Sequence, residues 1–418
     1  MHYDFRSIQE IIMSRTNILN SKSTFCMLAL IAVGLTRCEY DQPEKLFPIP
    51  SGIQPDPVIA DISPDSAVNG ITLVTISGEN FSLQSDQNFV YFGTTAGIIR
   101  STASNQLIVQ RPLTISGDFM IKVSVRNAFQ FAETGPYNME AGLIQIGAAT
   151  ENNSFTVDKA GNLYAERDNT IYKTDPSGVQ SQYGTIEAAS SCMRMGSGKY
   201  LYLQRRESQN FYRIPPGGGT AVRYTRILRR VSVFDFDSTG YIYSGSGGLV
   251  SNNLVGNGLF ITSPDGITGN EVSGYRDLFA ISAVRVFDGF VFVLADTISS
   301  IPEYKFSIIF KHEITGSGQL GERIPVLRLT DGSVYKDLTF SADGKIFLAT
   351  NKTNPILVLH QDGSGESLYP GILQGPLVQL CWSDGYYLYY SLLSETEGQS
   401  ALFRICMGES GAKYYGRD

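Results

Sequence analysis

Three charged residues occupy matching positions in consecutive copies of a repeated strand motif. They are Arg194, Asp235 and Arg285, and each lies between two apolar residues. Opposite charges at one level of a packed strand can neutralise each other, whereas a single buried charge is costly. Two interpretations stay open: an ion triad that joins neighbouring repeats, or a site that binds an anion or another polar ligand.

A second group of side chains is basic or aromatic and falls in the loops between the repeated strands. On a chain with a formal net charge of -7, such loops would suit an anionic or carbohydrate ligand. Ordinary solvated loop side chains are the alternative. The predicted ligand-binding residues are Arg205, Arg206, Arg229, Arg230, Tyr275, Arg276, Tyr335 and Lys336.

Residues typical of catalysis are scarce. The chain has 3 histidines, and two of them, His312 and His360, fall on predicted strands. No nucleophile elbow, zinc-binding helix motif or phosphate-binding glycine loop occurs in the sequence. The segment Asp235-Phe-Asp-Ser-Thr-Gly240 resembles the start of a calcium loop but lacks its distal glutamate, and a strand-to-strand turn explains it. The sequence therefore predicts no enzyme activity, no metal and no cofactor.

These side chains depend on a repeated element for their position. An apolar strand, a tight turn ending in glycine and a Tyr/Phe-rich strand recur six times, with turn glycines 37, 42, 49, 55 and 41 residues apart. This period is typical of a four-stranded propeller blade, so residues 141–418 are predicted to form a six-bladed β-propeller. The turn glycines are Gly161, Gly198, Gly240, Gly289, Gly344 and Gly385.

The repeats resemble the NHL family of propellers, as in Phe155-Thr-Val-Asp-Lys-Ala-Gly-Asn-Leu-Tyr164. The resemblance implies that the loops between second and third strands, and those leading into the innermost strands, share one rim. That rim is the usual binding face of the family, and it would display the basic and aromatic residues named above.

Residues 56–140 are predicted to form a separate β-sandwich, because short apolar strands alternate there with Gly, Asn and Ser turns. The segments Ile62-Ser-Pro64, Val74-Thr-Ile-Ser-Gly78 and Val90-Tyr-Phe-Gly93 resemble the IPT/TIG domain, an immunoglobulin-like fold. The resemblance implies a spacer or presentation module. The whole chain is thus predicted to be all-β, with an N-terminal Ig-like sandwich and a C-terminal six-bladed propeller.

Residues 1–37 have the layout of a signal peptide, with Met13 as an alternative start. Basic residues precede the apolar run Phe25–Leu35, which is too short to span a bilayer. The following Leu35-Thr-Arg-Cys38 resembles the lipobox of bacterial lipoproteins, which implies lipidation of Cys38; an ordinary secretory signal is the alternative. Residues 38–55 are acidic and proline-rich and read as an extended tether. We therefore expect an exported protein, lipid-anchored to the outer membrane and exposed at the surface.

The acidic charge balance disfavours nucleic acid, because it repels phosphate backbones. The expected partners are a glycan or an envelope protein, with membrane contact through the lipid anchor alone, in a monomer or an envelope complex. The favoured function is a non-catalytic binding module for a carbohydrate or another polar ligand. A protein-interaction scaffold and a propeller hydrolase of the lactonase type are the alternatives. Buried free thiols are expected for Cys192, Cys381 and Cys406.

Overall fold

The computed structural model describes residues 52–64, 66–67, 73–112, 116–148, 154–206, 208–227, 229–247, 257–299, 301–370, 373, 375–392 and 401–415. The chain divides into two compact units, Met1–Ile53 and Gln54–Asp418. The predicted signal peptide, Cys38 and nearly all of the tether lie outside the described residues. Within the described residues, no helix is both long and apolar enough to cross a membrane.

A sandwich of two sheets forms the first part of the second unit, and its strands pair antiparallel except for β2, which pairs parallel with β9. One sheet has the order β1-β3-β7-β6 and the other β2-β9-β8-β4-β5. Alternating residues of both sheets, such as Val74, Ile76, Val90 and Phe92, are fully buried between them. The strands are β1 (Val58–Ser63), β2 (Ser66–Ala67), β3 (Leu73–Glu79), β4 (Asn88–Phe92), β5 (Thr95–Ala96), β6 (Ile98–Ala103), β7 (Gln106–Gln110), β8 (Gly117–Val125) and β9 (Ala132–Met139).

Six further sheets follow, and we number them as blades 1 to 6 in chain order. The strand after the sandwich is β10 (Leu143–Ala148), which belongs to the last blade. Blade 1 contains β11 (Phe155–Val157), β12 (Leu163–Arg167), β13 (Thr170–Thr174) and β14 (Gln180–Thr185). Blade 2 contains β15 (Ser190–Met195), β16 (Leu201–Arg205), β17 (Asn210–Ile214) and β19 (Val222–Arg226), while β18 (Gly219–Thr220) pairs with β14 of blade 1.

The remaining blades repeat the same meander from the innermost to the outermost strand. Blade 3 contains β20 (Val233–Phe236), β21 (Ile242–Ser246), β22 (Gly258–Thr262) and β23 (Gly269–Val272). Blade 4 contains β24 (Phe279–Phe287), β25 (Phe290–Thr297), β26 (Ser307–Gly316), β27 (Gln319–Leu320) and β28 (Ile324–Leu329). Blade 5 contains β29 (Tyr335–Phe340), β30 (Ile346–Thr350), β31 (Ile356–Leu359) and β32 (Gly365–Ser367), and blade 6 contains β33 (Leu377–Trp382), β34 (Tyr387–Leu392) and β35 (Ala401–Cys406). Single turns of 3-10 helix cover Ser85–Gln87, Ser197–Lys199 and Pro302–Tyr304.

The blades form a ring. The innermost strands β11, β15, β20, β24, β29 and β33 contact one another in that order, and β33 contacts β11 again. β10 pairs antiparallel with β35, so the first propeller strand supplies the outermost strand of the last blade. The predicted all-β fold, an Ig-like sandwich followed by a six-bladed propeller, is therefore confirmed.

Turns between the first and second strands of the blades repeat one piece of local chemistry. Gly161 and Gly240 have φ values of 81° and 88°, a region that glycine enters without a steric penalty. In the blade 3 turn, the Asp237 carboxylate accepts hydrogen bonds from the Thr239 and Tyr241 amides and from the Tyr243 hydroxyl. The calcium-like segment is thus a self-contained turn, as the sequence predicts.

The three cysteines of the propeller are buried free thiols, in agreement with the prediction. Cys381 on β33 and Cys406 on β35 are separated by β34 in the sheet, a spacing beyond the reach of a disulfide.

Candidate functional site

One level of the ring brings together six residues that occupy the same register on the innermost strands. Each lies opposite an aromatic residue of the second strand, as Arg194 lies opposite Tyr202 and Asp235 opposite Tyr243. All six side chains are buried. They are Thr156, Arg194, Asp235, Arg285, Thr339 and Cys381.

Arg285 forms its ion pair with Asp337, a residue of blade 5 outside the predicted triad. The guanidinium Nη2 donates to both carboxylate oxygens of Asp337, at 2.9 and 3.0 Å. The same carboxylate accepts hydrogen bonds from the backbone amides of Leu338 and Leu380, at 2.8 and 2.9 Å. Because Leu380 lies on β33, this one carboxylate joins blades 4, 5 and 6.

The predicted triad therefore needs a correction. Arg194, Asp235 and Arg285 share one level, but the short pair goes from Arg285 to Asp337, and Asp235 accepts the backbone amide of Val286 in blade 4 at 2.9 Å. Burial raises the pKa of Asp235, and the nearby charges of Arg285 and Arg194 partly oppose that shift. These contacts fit the structural interpretation of the charged level, as a set of bonds across blade seams.

The C-terminal segment covers this level of the ring. The Ala412 amide donates to the Phe340 carbonyl at 3.0 Å, and the Tyr414 hydroxyl lies 2.5 Å from Thr339 Oγ1 and accepts the Phe340 amide at 3.2 Å. The remaining void between Arg194, Arg285 and Tyr414 is about 10 Å³. A single water needs about that volume, so this pocket has no room for a larger ligand.

The two tyrosines predicted to lie on the binding rim are buried. Tyr275 and Tyr335 are 0% and 1% exposed, so neither presents a surface to a ligand. The Tyr275 hydroxyl lies 2.8 Å from His312 Nε2, and the Tyr335 hydroxyl donates to Asp331 at 3.0 Å. Both rings pack into the seams between blades, where a large aromatic side chain gains more from burial than from solvent contact.

The six basic residues predicted for the rim lie on that end of the ring, four of them in loops, Arg205 at the end of β16 and Lys336 at the start of β29, and all six are at least partly exposed. Arg205 forms an ion pair with Glu187 at 3.6 Å, and Arg276 is paired with Glu271. A small pocket of about 240 Å³ opens at this rim between blades 4 and 5, with Lys305 and Ser333 among its lining residues. The partly or fully exposed rim residues are Arg205, Arg206, Arg229, Arg230, Arg276 and Lys336.

A larger groove opens on the opposite face of the ring, between blades 1 and 2. Its volume is about 680 Å³, within the range of about 300–1,000 Å³ that is typical of small-ligand sites. We call it the blade 1–2 groove. Its lining residues are Asp158, Lys159, Ala160, Asn162, Tyr164, Lys173, Ser181, Gln182, Tyr183, Met195, Lys199, Pro216 and Gly217.

Three neighbouring strands of blade 1 build one wall of the blade 1–2 groove. Tyr164 on β12 lies opposite Lys173 on β13, which lies opposite Ser181 on β14. Cross-strand partners project from the same face of a sheet, so these side chains form one row. Tyr183, two residues after Ser181, packs edge-to-face on Tyr164 with ring centroids 4.8 Å apart. The wall is therefore aromatic at its base and polar along its length.

Turns of both blades form the ends of the blade 1–2 groove. The blade 1 turn contributes Asp158, whose carboxylate accepts the Asn162 amide at 2.9 Å, Asn162 Nδ2 at 2.7 Å and the Tyr164 hydroxyl at 3.1 Å. Burial, followed by the charge of Asp158, raises the pKa of Tyr164, so the phenol stays protonated and donates. Blade 2 contributes Lys199 and the Pro216–Gly217 turn.

Sequence reasoning did not identify the blade 1–2 groove, because its lining comes from turns whose pattern reads as purely structural. One signal was available: both Asp158 and Asp237 are followed six residues later by a tyrosine, Tyr164 and Tyr243. That spacing indicates a turn in which the tyrosine hydroxyl donates a hydrogen bond to the aspartate carboxylate. Across the described parts of the chain, no three metal-ligating side chains of His, Cys, Asp or Glu come together.

Comparison with known proteins identifies the first domain. Residues 57–140 match the family profile of the IPT/TIG domain. The sandwich is an IPT/TIG domain. No curated protein sequence matches the chain.

Solved structures resemble this chain only at the level of the fold. A protein of unknown function from Bacteroides thetaiotaomicron has 12% identity and a TM-score of 0.45, covering 85% of this chain and 99% of that one. An auxiliary nutrient binding protein from the same organism has 10% identity and a TM-score of 0.48, with coverages of 84% and 98%. A luciferin-regenerating enzyme has 11% identity and a TM-score of 0.50, with coverages of 65% and 98%. At 11% identity, the likeness to the luciferin-regenerating enzyme concerns the fold alone.

Proposed function

We propose that this chain is an exported binding protein, anchored to the outer membrane through Cys38, that captures a carbohydrate or a related polar ligand without transforming it. The observation that carries the proposal is the blade 1–2 groove of about 680 Å³. Its tyrosine base and its amide, hydroxyl and ammonium groups are the combination that sugar rings require, with apolar faces and many hydroxyls to satisfy.

The blade 1–2 groove replaces the rim as the favoured binding face. Two of the eight predicted rim residues, Tyr275 and Tyr335, are buried, and Arg205 and Arg276 are engaged by carboxylates. The groove, in contrast, offers a concave surface, which allows a ligand to exchange more of its hydration for protein contacts.

A glycan array with the purified protein tests the proposal, combined with a variant that fills the blade 1–2 groove. Ser181 is exposed on β14 and lines the groove, so Ser181→Trp should block ligand binding and leave the core intact. Gln180→Trp is the matched control, because Gln180 is exposed on the same strand and projects from the opposite face. Glycan binding that survives Ser181→Trp would place the site elsewhere, and an array without a bound glycan would contradict carbohydrate capture.

An envelope scaffold is a second candidate, favoured by the outer face of one TIG sheet. Phe89, Tyr91 and Met120 are 38%, 38% and 40% exposed on adjacent strands, and Phe131 is 55% exposed beside them. These exposed apolar side chains surround Lys122, which lies opposite Tyr91 and over the Phe131 ring. Exposed aromatic side chains grouped on one face are typical of protein contacts. Tyr91→Glu combined with Met120→Glu should abolish cross-linking to an envelope protein in cells; unchanged cross-linking would remove this candidate.

A hydrolase of the lactonase type is the remaining alternative. The contacts at the charged level of the ring argue against it, because Arg285 is ion-paired with Asp337 and Tyr414 covers that level. Lactone hydrolysis assayed with added calcium decides the matter: turnover that is lost in Asp235→Asn would overturn the non-catalytic proposal.

A further inference from the structure

We propose that the blade 1–2 groove selects acidic saccharides, whose rings carry carboxylate groups, over neutral ones. This inference rests on the proposed function and names the ligand class of the same site. It rests on the charges that line the groove and on the contacts of Asp158, Lys173 and Lys199.

The lining of the blade 1–2 groove carries three ammonium groups and one carboxylate. Lys159 lies in the first turn of blade 1, Lys173 on β13, and Lys199 in the first turn of blade 2. The single carboxylate is that of Asp158. This local excess of positive charge occurs in a chain whose formal net charge is -7. A concave site with a sign opposite to that of the whole chain concentrates ligands of the complementary charge.

Asp158 offsets one of the three positive charges and is held within its own turn. Its carboxylate already accepts three hydrogen bonds, from the backbone and side chain of Asn162 and from the Tyr164 hydroxyl, at 2.7–3.1 Å. These donors stabilise the carboxylate in place within its own turn. Within the described residues, the ion pairs include none between Asp158 and a lysine of the groove.

Lys173 and Lys199 provide the charges that an acidic ligand would meet. Neither forms an ion pair with a carboxylate in the described parts of the chain. Lys173 is half-buried, and its ammonium lies 6.0 Å from the centroid of the Tyr164 ring, next to the aromatic base of the groove. An ammonium beside an aromatic ring still has hydrogen-bond donors to offer, and a carboxylate that reaches it supplies both the opposite charge and the acceptors.

The row geometry explains why a saccharide, and not a bare anion, would fit. Lys173 lies between Tyr164 and Ser181 in the cross-strand row, so the charge is flanked by an aromatic ring and a hydroxyl. Tyr164 itself is buried under Lys173 and Tyr183, so the aromatic surface open to a ligand is that of Tyr183. A carboxylated ring can pair its carboxylate with Lys173 while its apolar face meets Tyr183 and its hydroxyls meet Ser181 and Gln182. Inorganic phosphate would use only the first of these contacts.

Two oligosaccharides that differ only in charge test the inference: tri-galacturonate and its methyl ester, titrated by calorimetry at two salt concentrations. We expect the acid to bind at least about tenfold more tightly than the ester, with an affinity that falls as salt rises. Lys173→Met should remove most of the preference and leave ester binding unchanged. Lys311→Met is the matched control, because Lys311 is a half-buried lysine on the third strand of blade 4, with its ammonium 4.6 Å from the Phe290 ring centroid and away from the groove.

The outcomes separate this inference from the proposed function. Equal affinities for acid and ester, both lost in Ser181→Trp, would overturn the charge preference and retain the groove as a saccharide site. A preference that survives Lys173→Met and also Lys199→Met would overturn the assignment to the groove lysines. Binding of inorganic phosphate as tight as that of the trisaccharide would show an anion site without sugar recognition and would also overturn the inference. If neither trisaccharide binds, acidic saccharides are excluded, and the glycan array decides on the proposed function by itself.

Discussion

Replacement of Asp337 by asparagine should destabilise the propeller more than the same change at Asp235. The Asp337 side chain is 8% exposed and compensates the Arg285 guanidinium, whose side chain is 3% exposed. Breaking a buried ion pair by removing one partner typically costs about 3–5 kcal/mol, because the other charge stays buried. Asp337→Asn also replaces one of the two accepting oxygens with an NH2 group, so the amide of Leu338 or of Leu380 loses its acceptor.

The expected change at Asp235 is smaller. Its carboxylate accepts the Val286 amide, a bond that an asparagine oxygen can keep, and burial already disfavours its charged form. We expect a loss of about 1–2 kcal/mol from the weakened hydrogen bond.

The fluorescence of Trp382, the only tryptophan, reports the unfolding of the propeller directly. For a domain of this size, about 3–5 kcal/mol corresponds to a fall in melting temperature on the order of 10 °C. Glu271→Gln is the control, because its partner Arg276 is 50% exposed and surface pairs contribute about 0–1 kcal/mol. A larger fall for Asp235→Asn than for Asp337→Asn would refute the assignment of Arg285 to Asp337.

Three further predictions concern the seams of the ring. Gly411→Ala should cost about 1–3 kcal/mol and shift Trp382 fluorescence to the red, because the added Cβ would lie 2.3 Å from the Ser383 oxygen and 2.4 Å from the indole; an unshifted spectrum would show that the segment moves away freely. Tyr414→Phe should cost about 1 kcal/mol in thermal unfolding by removing the hydroxyl bonds to Thr339 and Phe340, and an unchanged melting temperature would mean that these bonds do not stabilise the ring. Burial raises the pKa of Glu166, although the bonds from Ser190 partly oppose the shift, so the folded state binds its proton more tightly than the unfolded state. The stability contributed by this group should therefore be full below the ordinary carboxyl pKa and be lost as pH rises through the pKa of the folded state. Glu166→Gln should make the free energy of unfolding, measured with urea, depend less on pH. An unaltered pH dependence would contradict the shift.

Most of the fold could be predicted from the repeated motif, because a turn glycine and its two flanking strands are determined by local sequence. The contacts across seams were harder to predict, since each depends on residues from separate blades. Asp337 lies two residues before Thr339 on a strand with a β-bulge, so a column-by-column alignment missed it as the partner of Arg285. Tyr275 and Tyr335 look like loop residues in the sequence, but the ring encloses them when the blades pack.

The blade 1–2 groove shows the same limit. Pro216 and Gly217 reach the wall made by Tyr164 and Lys173 only because β18 of blade 2 pairs with β14 of blade 1. No local pattern announces a pairing between strands of two different repeats. The spacing of Asp158 and Tyr164 is the one feature of the groove that the sequence predicts, and it indicates the turn but not the cavity beside it.

The pairing of β10 with β35 has a mechanical consequence. Only residues 140–142 separate the last TIG strand from β10, so tension applied to the chain before Val58 passes through the TIG domain and enters the propeller at the strand that closes it. Five register positions of one strand pair, Leu143 to Ala148 against Ala401 to Ile405, receive that load first. If the protein is held from its N-terminal side under flow, the β10–β35 pair would be the first part of the propeller to separate, and the ring would open there.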